Sequence, residues 1–101
     1  MFGRSAFRDV ISRQLEIFAT DEADGLLADV EQMKRLYDEA DRDEAEEAYG
    51  DYEDAVDAMI DALAGMRDRF AATLEEPLAE QYERAFEGAA RKRWRWLDRT
   101  G

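Results

Sequence analysis

Apolar side chains recur at alternating steps of three and four residues through the third quarter of the chain. The series, which we call the seam, consists of Tyr49, Tyr52, Val56, Met59, Leu63, Met66 and Phe70. A repeat of 3.5 residues is typical of an α-helix that packs lengthwise against other helices. The pattern therefore predicts a long helix over residues 43–73.

Three further segments have the apolar stripe of an amphipathic helix. They predict helices over residues 5–20, 21–41 and 77–98. Ser5 is a suitable N-cap for the first of them, and Pro77 suits the first turn of the last. Together the four segments predict an all-α fold.

The apolar rhythm of the second segment breaks at residues 41–43 and restarts one residue later. Asp43 followed by Glu46 has the spacing of a capping box, which favours a turn between two helices. No glycine or proline marks the break, so one continuous helix with a skip in the repeat stays open as the alternative.

The length of the third helix favours self-association. A helix over residues 43–73 would be roughly 45 Å long at about 1.5 Å per residue. A compact chain of about 100 residues has a radius of gyration of only about 13 Å. We therefore expect a single elongated domain over residues 1–101, an antiparallel hairpin or bundle with coiled-coil-like packing, whose seam pairs with a second copy, most simply in a dimer.

Charge is unevenly distributed along this chain of net charge −12. Residues 21–87 have 23 acidic and 6 basic side chains, net −17, whereas residues 88–101 have 5 basic and 1 acidic, net +4. A segment this acidic repels phosphates and anionic lipids. We therefore expect neither direct nucleic-acid binding nor binding to a membrane surface. Adaptation to a halophilic host is an alternative origin for the acidity.

The C-terminal segment 88–101 is basic and rich in tryptophan and arginine. Basic residues at a helix C-terminus complement its dipole, and tryptophan can fill the end of a core. The functional alternative is an anchor for an acidic protein partner. The residues predicted to bind that partner are Arg91, Arg95, Trp96 and Arg99.

Few residues suggest chemistry, because the chain has no histidine and no cysteine. Thiolate metal sites and the usual ferritin-like di-iron site are thereby excluded, and no cofactor is predicted. Glu44 and Glu47 resemble the ExxE pair of MazG-type all-α pyrophosphatases, although no ExxD pair follows in the same segment. That resemblance implies a divalent-metal nucleotide hydrolase, with Glu44, Glu47, Glu53 and Asp57 as its metal ligands.

The preferred functional interpretation is a non-enzymatic, self-associating helical protein that serves as an adaptor or regulatory scaffold. The metal-dependent pyrophosphatase is one alternative. The other is an acidic mimic of DNA that acts as a decoy for a basic protein. The N-terminus has no signal-peptide pattern and no run of about 18 apolar residues is present, so we expect a soluble, cytoplasmic protein.

Overall fold

The computed structural model describes residues 2–97, with side chains from Phe7 onward. This part of the chain contains no strand and consists of four α-helices followed by a 3₁₀ turn. Their bounds are α1 Phe2–Asp21, α2 Leu26–Glu39, α3 Ala45–Ala71, α4 Glu76–Arg93 and the 3₁₀ turn Arg95–Leu97. The prediction of an all-α fold with four helices is confirmed. Elongation, coiled-coil packing and oligomerisation stay predictions.

None of the described helices is long and apolar enough to cross a membrane.

The predicted break between the second and third helices is confirmed. α2 ends at Glu39, and Ala40 adopts an extended conformation with φ −67° and ψ 141°. The backbone N–H of Glu44 then donates to the Asp41 side chain at 3.3 Å and to the Asp41 carbonyl at 3.1 Å. Asp41, rather than Asp43, therefore satisfies the first backbone donors before α3.

The second helix begins at Leu26 rather than near residue 21, because α1 continues to Asp21. The Glu22 carboxylate accepts a hydrogen bond from the Leu26 N–H at 3.1 Å. A Cβ atom at Gly25 would lie 2.7 Å from that carboxylate oxygen. Only glycine at this position leaves room for the Glu22 side chain to cap α2 in this way.

The chain packs as two compact units. Unit 1 consists of Met1–Phe18 with Leu63–Gly101, and unit 2 consists of Ala19–Ala62. Unit 1 therefore contains most of α1, the end of α3 and all of α4, whereas unit 2 contains α2 and the beginning of α3. The assignment of residues 1–101 to one domain stays a prediction.

Tyr82 of α4 lies at the centre of unit 1 and is fully buried. Its ring contacts Phe70 of α3 at a centroid distance of 4.7 Å and Phe7 of α1 at 5.6 Å. Phe86, one turn further along α4, lies 5.9 Å away. The Tyr82 hydroxyl donates a hydrogen bond to Oε1 of Gln14 at 2.8 Å. One side chain thus joins three helices and has its single polar group satisfied.

Ring contacts also give the direction of α1 relative to α4. Phe7 near the start of α1 contacts Tyr82, and Phe18 near its end contacts Trp94 at 5.9 Å. The contact near the start of α1 thus involves the first half of α4, and the contact near the end of α1 involves the residue that follows α4. The two helices therefore run in the same direction.

An ion pair holds α3 against α4 on the surface of unit 1. Arg67 Nη1 lies 2.8 Å from the carboxylate of Glu87, and Arg67 Nε lies 2.8 Å from Asp68. The hydrogen bond that Arg67 donates to Asp68 raises the pKa of Arg67 above its ordinary value. Because the carboxylates of Asp68 and Glu87 are 60% and 43% exposed, the pairs orient the helices more than they stabilise them.

In unit 2, α2 and the beginning of α3 form a helical hairpin. Three tyrosines pack together near its turn, with Tyr37 stacked on Tyr52 at 6.5 Å and tilted against Tyr49 at 5.2 Å. Val30, further from the turn, is buried. Aromatic packing and aliphatic burial therefore occur at different levels of the same hairpin.

A single chain already buries the middle of the seam. Tyr52, Val56, Met59 and Leu63 are buried, and two of them, Val56 and Met59, have no exposed surface. Tyr49 is 41% exposed, and Met66 and Phe70 are half-buried. Self-association through the seam stays a prediction. It would require the four buried side chains to leave their contacts within the chain.

The last helix ends at Arg93 and does not continue to residue 98. Trp94 is extended, with φ −126° and ψ 91°, and its N–H donates to the Ala90 carbonyl. This conformation accompanies the packing of the Trp94 ring on Phe18, with the Arg93 guanidinium 5.4 Å from the ring centroid. The prediction that this helix continues beyond Arg93 is therefore wrong.

Replacing Tyr82 by phenylalanine should destabilise unit 1 by about 1–2 kcal/mol at neutral pH, because the half-buried Gln14 loses its hydrogen-bond donor. Urea unfolding followed by tryptophan fluorescence measures the effect, since Trp94 and Trp96 both belong to unit 1. Tyr37→Phe is the matched control, because Tyr37 is 37% exposed, and should change stability by less than about 0.5 kcal/mol. Equal effects of the two changes would contradict the central role of Tyr82.

Comparison with Tyr82→Phe should also show that ionisation of Tyr82 lowers the free energy of unfolding at alkaline pH. Burial raises the pKa of Tyr82 above its ordinary value of 10.0, so the folded state favours the neutral phenol. This stabilisation is complete below pH 10 and is lost as pH rises through the raised pKa, because the unfolded chain ionises first. The stability difference between the unmodified protein and Tyr82→Phe should therefore shrink above pH 10. A constant difference up to pH 11 would contradict this.

Candidate interaction grooves

An open groove of about 610 Å³ lies between α1 and α4 in unit 1. Its apolar floor is made by both helices and consists of Ile11, Leu15, Ala85 and Ala89, together with Gly88. Residues three and four apart share one helix face, so these positions form one stripe on each helix. We call this feature the basic groove, because of the residues at its rim.

The rim of the basic groove is cationic. Arg8 contributes from α1, and Lys92 and Arg93 contribute from the end of α4, with the hydroxyl of Ser12 between them. Within the described residues, no acidic side chain lines the groove. Neither Arg8 nor Lys92 forms an ion pair with another of residues 7–97. This part of the chain therefore places positive charge beside an apolar floor.

Gly88 gives the groove its open centre. A Cβ atom at Gly88 would meet no atom within 4 Å, so no side chain of the described part of this chain requires glycine there. Glycine inside a helix costs about 1 kcal/mol relative to alanine. Its neighbours Ala85 and Ala89 are also small, so the backbone of α4 is accessible to a large side chain from outside.

A second, smaller cleft of about 210 Å³ lies in the hairpin of unit 2. Its apolar part consists of Met33, Leu36, Ala40 and Ala48, and its charged part of Glu44, Glu47 and Asp51. No basic side chain lines it. We call it the acidic cleft.

The two units differ sharply in net charge. Unit 1 has 11 basic and 9 acidic side chains, net +2, and unit 2 has 3 basic and 17 acidic side chains, net −14. Lys34, one of the three cations of unit 2, is paired with Asp38 at 2.7 Å, and this hydrogen bond raises the pKa of Lys34. The basic groove and the acidic cleft thus lie on units of opposite charge.

The predicted tail site is only partly brought together. Arg91 and Arg95 are exposed, and Trp96 is half-buried. Arg91 Nη2 lies 3.9 Å from Glu87 on the same helix. Arg99 lies outside the described residues. The tail cations that line the basic groove are instead Lys92 and Arg93, which the sequence interpretation did not select.

The predicted metal ligands are also divided. Glu44 and Glu47 line the acidic cleft with Asp51, whereas Glu53 and Asp57 are not among its lining residues. Within the described part of the chain, no group of three or more histidine, cysteine or acidic side chains is placed to hold a metal ion. The metal-dependent hydrolase therefore stays a prediction without geometric support here.

Sequence reasoning missed Arg8 as a member of a site. The spacing of the residues contains part of the evidence for this groove, because it places each half of the lining on one helix face. These faces consist of Arg8, Ile11, Ser12 and Leu15 on one helix and of Ala85, Gly88, Ala89 and Lys92 on the other. What the sequence lacks is any sign that α1 and α4 are neighbours that run in the same direction.

Comparisons of this chain with protein-family models, with curated proteins and with solved structures give no match.

Proposed function

We propose that this chain is a non-enzymatic, α-helical protein-interaction module that self-associates and serves as an adaptor or regulatory scaffold. The observation that carries the proposal is the basic groove, in which an apolar floor lies open between two helices of a single chain. Grooves of this kind accept the apolar face of another helix. A charged rim adds partner selection and orientation.

Burial of the seam moves the expected interface to the groove. Val56 and Met59 have no exposed surface in the single chain, so a second copy cannot reach them without opening the fold. At the basic groove, Gly88 is exposed although Ile11 and Leu15 are buried, so a second copy can reach the α4 side of the groove without such opening. A homo-oligomer, most simply a dimer, is therefore proposed to form through surfaces that a single chain leaves uncovered.

Binding of an acidic protein through the C-terminal segment is a second part of the proposal. Arg91 and Arg95 are exposed. Arg91 precedes and Arg95 follows Lys92 and Arg93, the two cations of the C-terminal segment that line the basic groove. The predicted set of Arg91, Arg95, Trp96 and Arg99 would then extend the positive rim of the groove. A cytoplasmic location belongs to the same proposal.

The acidic decoy is an alternative function that one observation favours. Unit 2 combines 17 acidic with 3 basic side chains, and a dense array of carboxylates imitates the charge of a DNA backbone. Competition with duplex DNA for a basic protein would distinguish a decoy from a self-associating module.

Light scattering over a range of protein concentrations tests the proposal. The expected mass is a clean multiple of 11.7 kDa. Gly88→Leu should weaken association at least about tenfold, because leucine occupies the groove, while helix stability stays equal or rises by up to about 1 kcal/mol.

Gly65→Leu is the matched control, because Gly65 also lies inside a helix but lines neither groove, and an added Cβ there would make only an ordinary 3.5 Å contact with Arg69. This variant should keep the mass of the unmodified protein. A mass of 11.7 kDa at every concentration up to about 1 mM would contradict self-association.

A further inference from the structure

The basic groove and the acidic cleft are complementary surfaces on one chain. Among the described residues, three cations and no acidic residue line the first, and three carboxylates and no basic residue line the second. Each combines its charges with an apolar part, and each lies within a single compact unit. Any copy of the chain therefore presents both halves of a possible contact.

The apolar parts also offer one exposed large side chain and one small residue. Leu36 at the acidic cleft is 49% exposed, so a partner can cover it. The space above Gly88 in the basic groove is empty to a distance of 4 Å. An exposed leucine and an unfilled hollow on helical surfaces are the two elements of helix-in-groove docking.

Net charge favours contact between unlike units over contact between like units. Two copies of unit 2, each with net charge −14, repel each other, whereas unit 1 has net charge +2. Repulsion between whole chains of net charge −12 is screened at about 0.15 M salt, where the Debye length is about 8 Å. Charges in direct contact are screened much less, so the local attraction remains.

We infer that the basic groove of one copy binds the acidic cleft of a second copy, with Leu36 entering the hollow at Gly88 and the carboxylates of Glu44, Glu47 and Asp51 facing the cationic rim. This inference rests on the self-association proposed above and names its two surfaces. Because the two surfaces differ, two copies can form the contact in both directions as a closed dimer. Alternatively, each copy can give its cleft to one neighbour and its groove to another, head to tail.

A complementation experiment tests this contact with two variants that each disable one surface. The groove variant is Gly88→Leu with Lys92→Gln, and the cleft variant is Leu36→Ser with Glu47→Gln. All four positions are exposed, so the fold should be kept, and circular dichroism checks it. Light scattering and sedimentation at about 0.15 M salt measure the mass of each variant and of an equimolar mixture.

Matched controls change the same residue types away from both surfaces. Gly65→Leu with Arg84→Gln controls for the groove variant, and Leu78→Ser with Glu80→Gln controls for the cleft variant. None of these four residues lines either surface. For a variant that loses helicity, Lys92→Gln or Glu47→Gln alone replaces it.

We expect each disabling variant alone to associate at least about tenfold more weakly, with the controls unchanged. The equimolar mixture should form a complex of two chains and no more, because only one intact groove and one intact cleft face each other. A mixture that stays at 11.7 kDa, or a cleft variant that associates as the unmodified protein does, overturns the inference and leaves self-association through another surface. Absence of association in the unmodified protein overturns the proposed function as well.

Discussion

Burial of the Tyr82 ring between three helices is the interaction on which unit 1 depends. Phe7 and Phe70 contact the ring from two other helices, and Gln14 accepts a hydrogen bond from the hydroxyl. A buried aromatic side chain contributes a large apolar area, but its hydroxyl must find a partner. Both requirements are met with α1 beside α4 and running in the same direction. The basic groove is a consequence of that arrangement, because it opens where small residues of α4 face α1.

Segregation of charge is the second constraint. Unit 2 has a net charge of −14, and its carboxylates repel one another. Exposure limits the resulting cost, since Glu47, Asp54 and Asp61, which recur every seven residues along α3, are all exposed. Positive charge is gathered instead at the rim of a groove in unit 1. Such a distribution affects which surfaces can meet more than it affects the stability of the fold.

Local sequence patterns predicted most of the helices and the turn between α2 and α3. The 3.5-residue repeat located α3, and the broken register at residues 41–43 located the turn before it. The end of α4 was not readable, because Trp94 departs from the helix where its ring packs on Phe18, a residue far away in the sequence. The start of α2 depended on the Glu22 carboxylate beside Gly25, a detail of capping that periodicity does not contain.

The order of the amino acids was enough to predict that this protein is built of amphipathic helices. It also predicted the position of the turn between α2 and α3 and the uneven distribution of charge along the chain. These properties follow from the spacing of residues that are close in sequence. Tertiary structure alone decided that Val56 and Met59 are covered within one chain, and that Arg8 and Lys92 line the same groove. Periodicity shows which face of a helix is apolar, but the choice of the helix that covers it depends on contacts between distant residues, which no local pattern specifies.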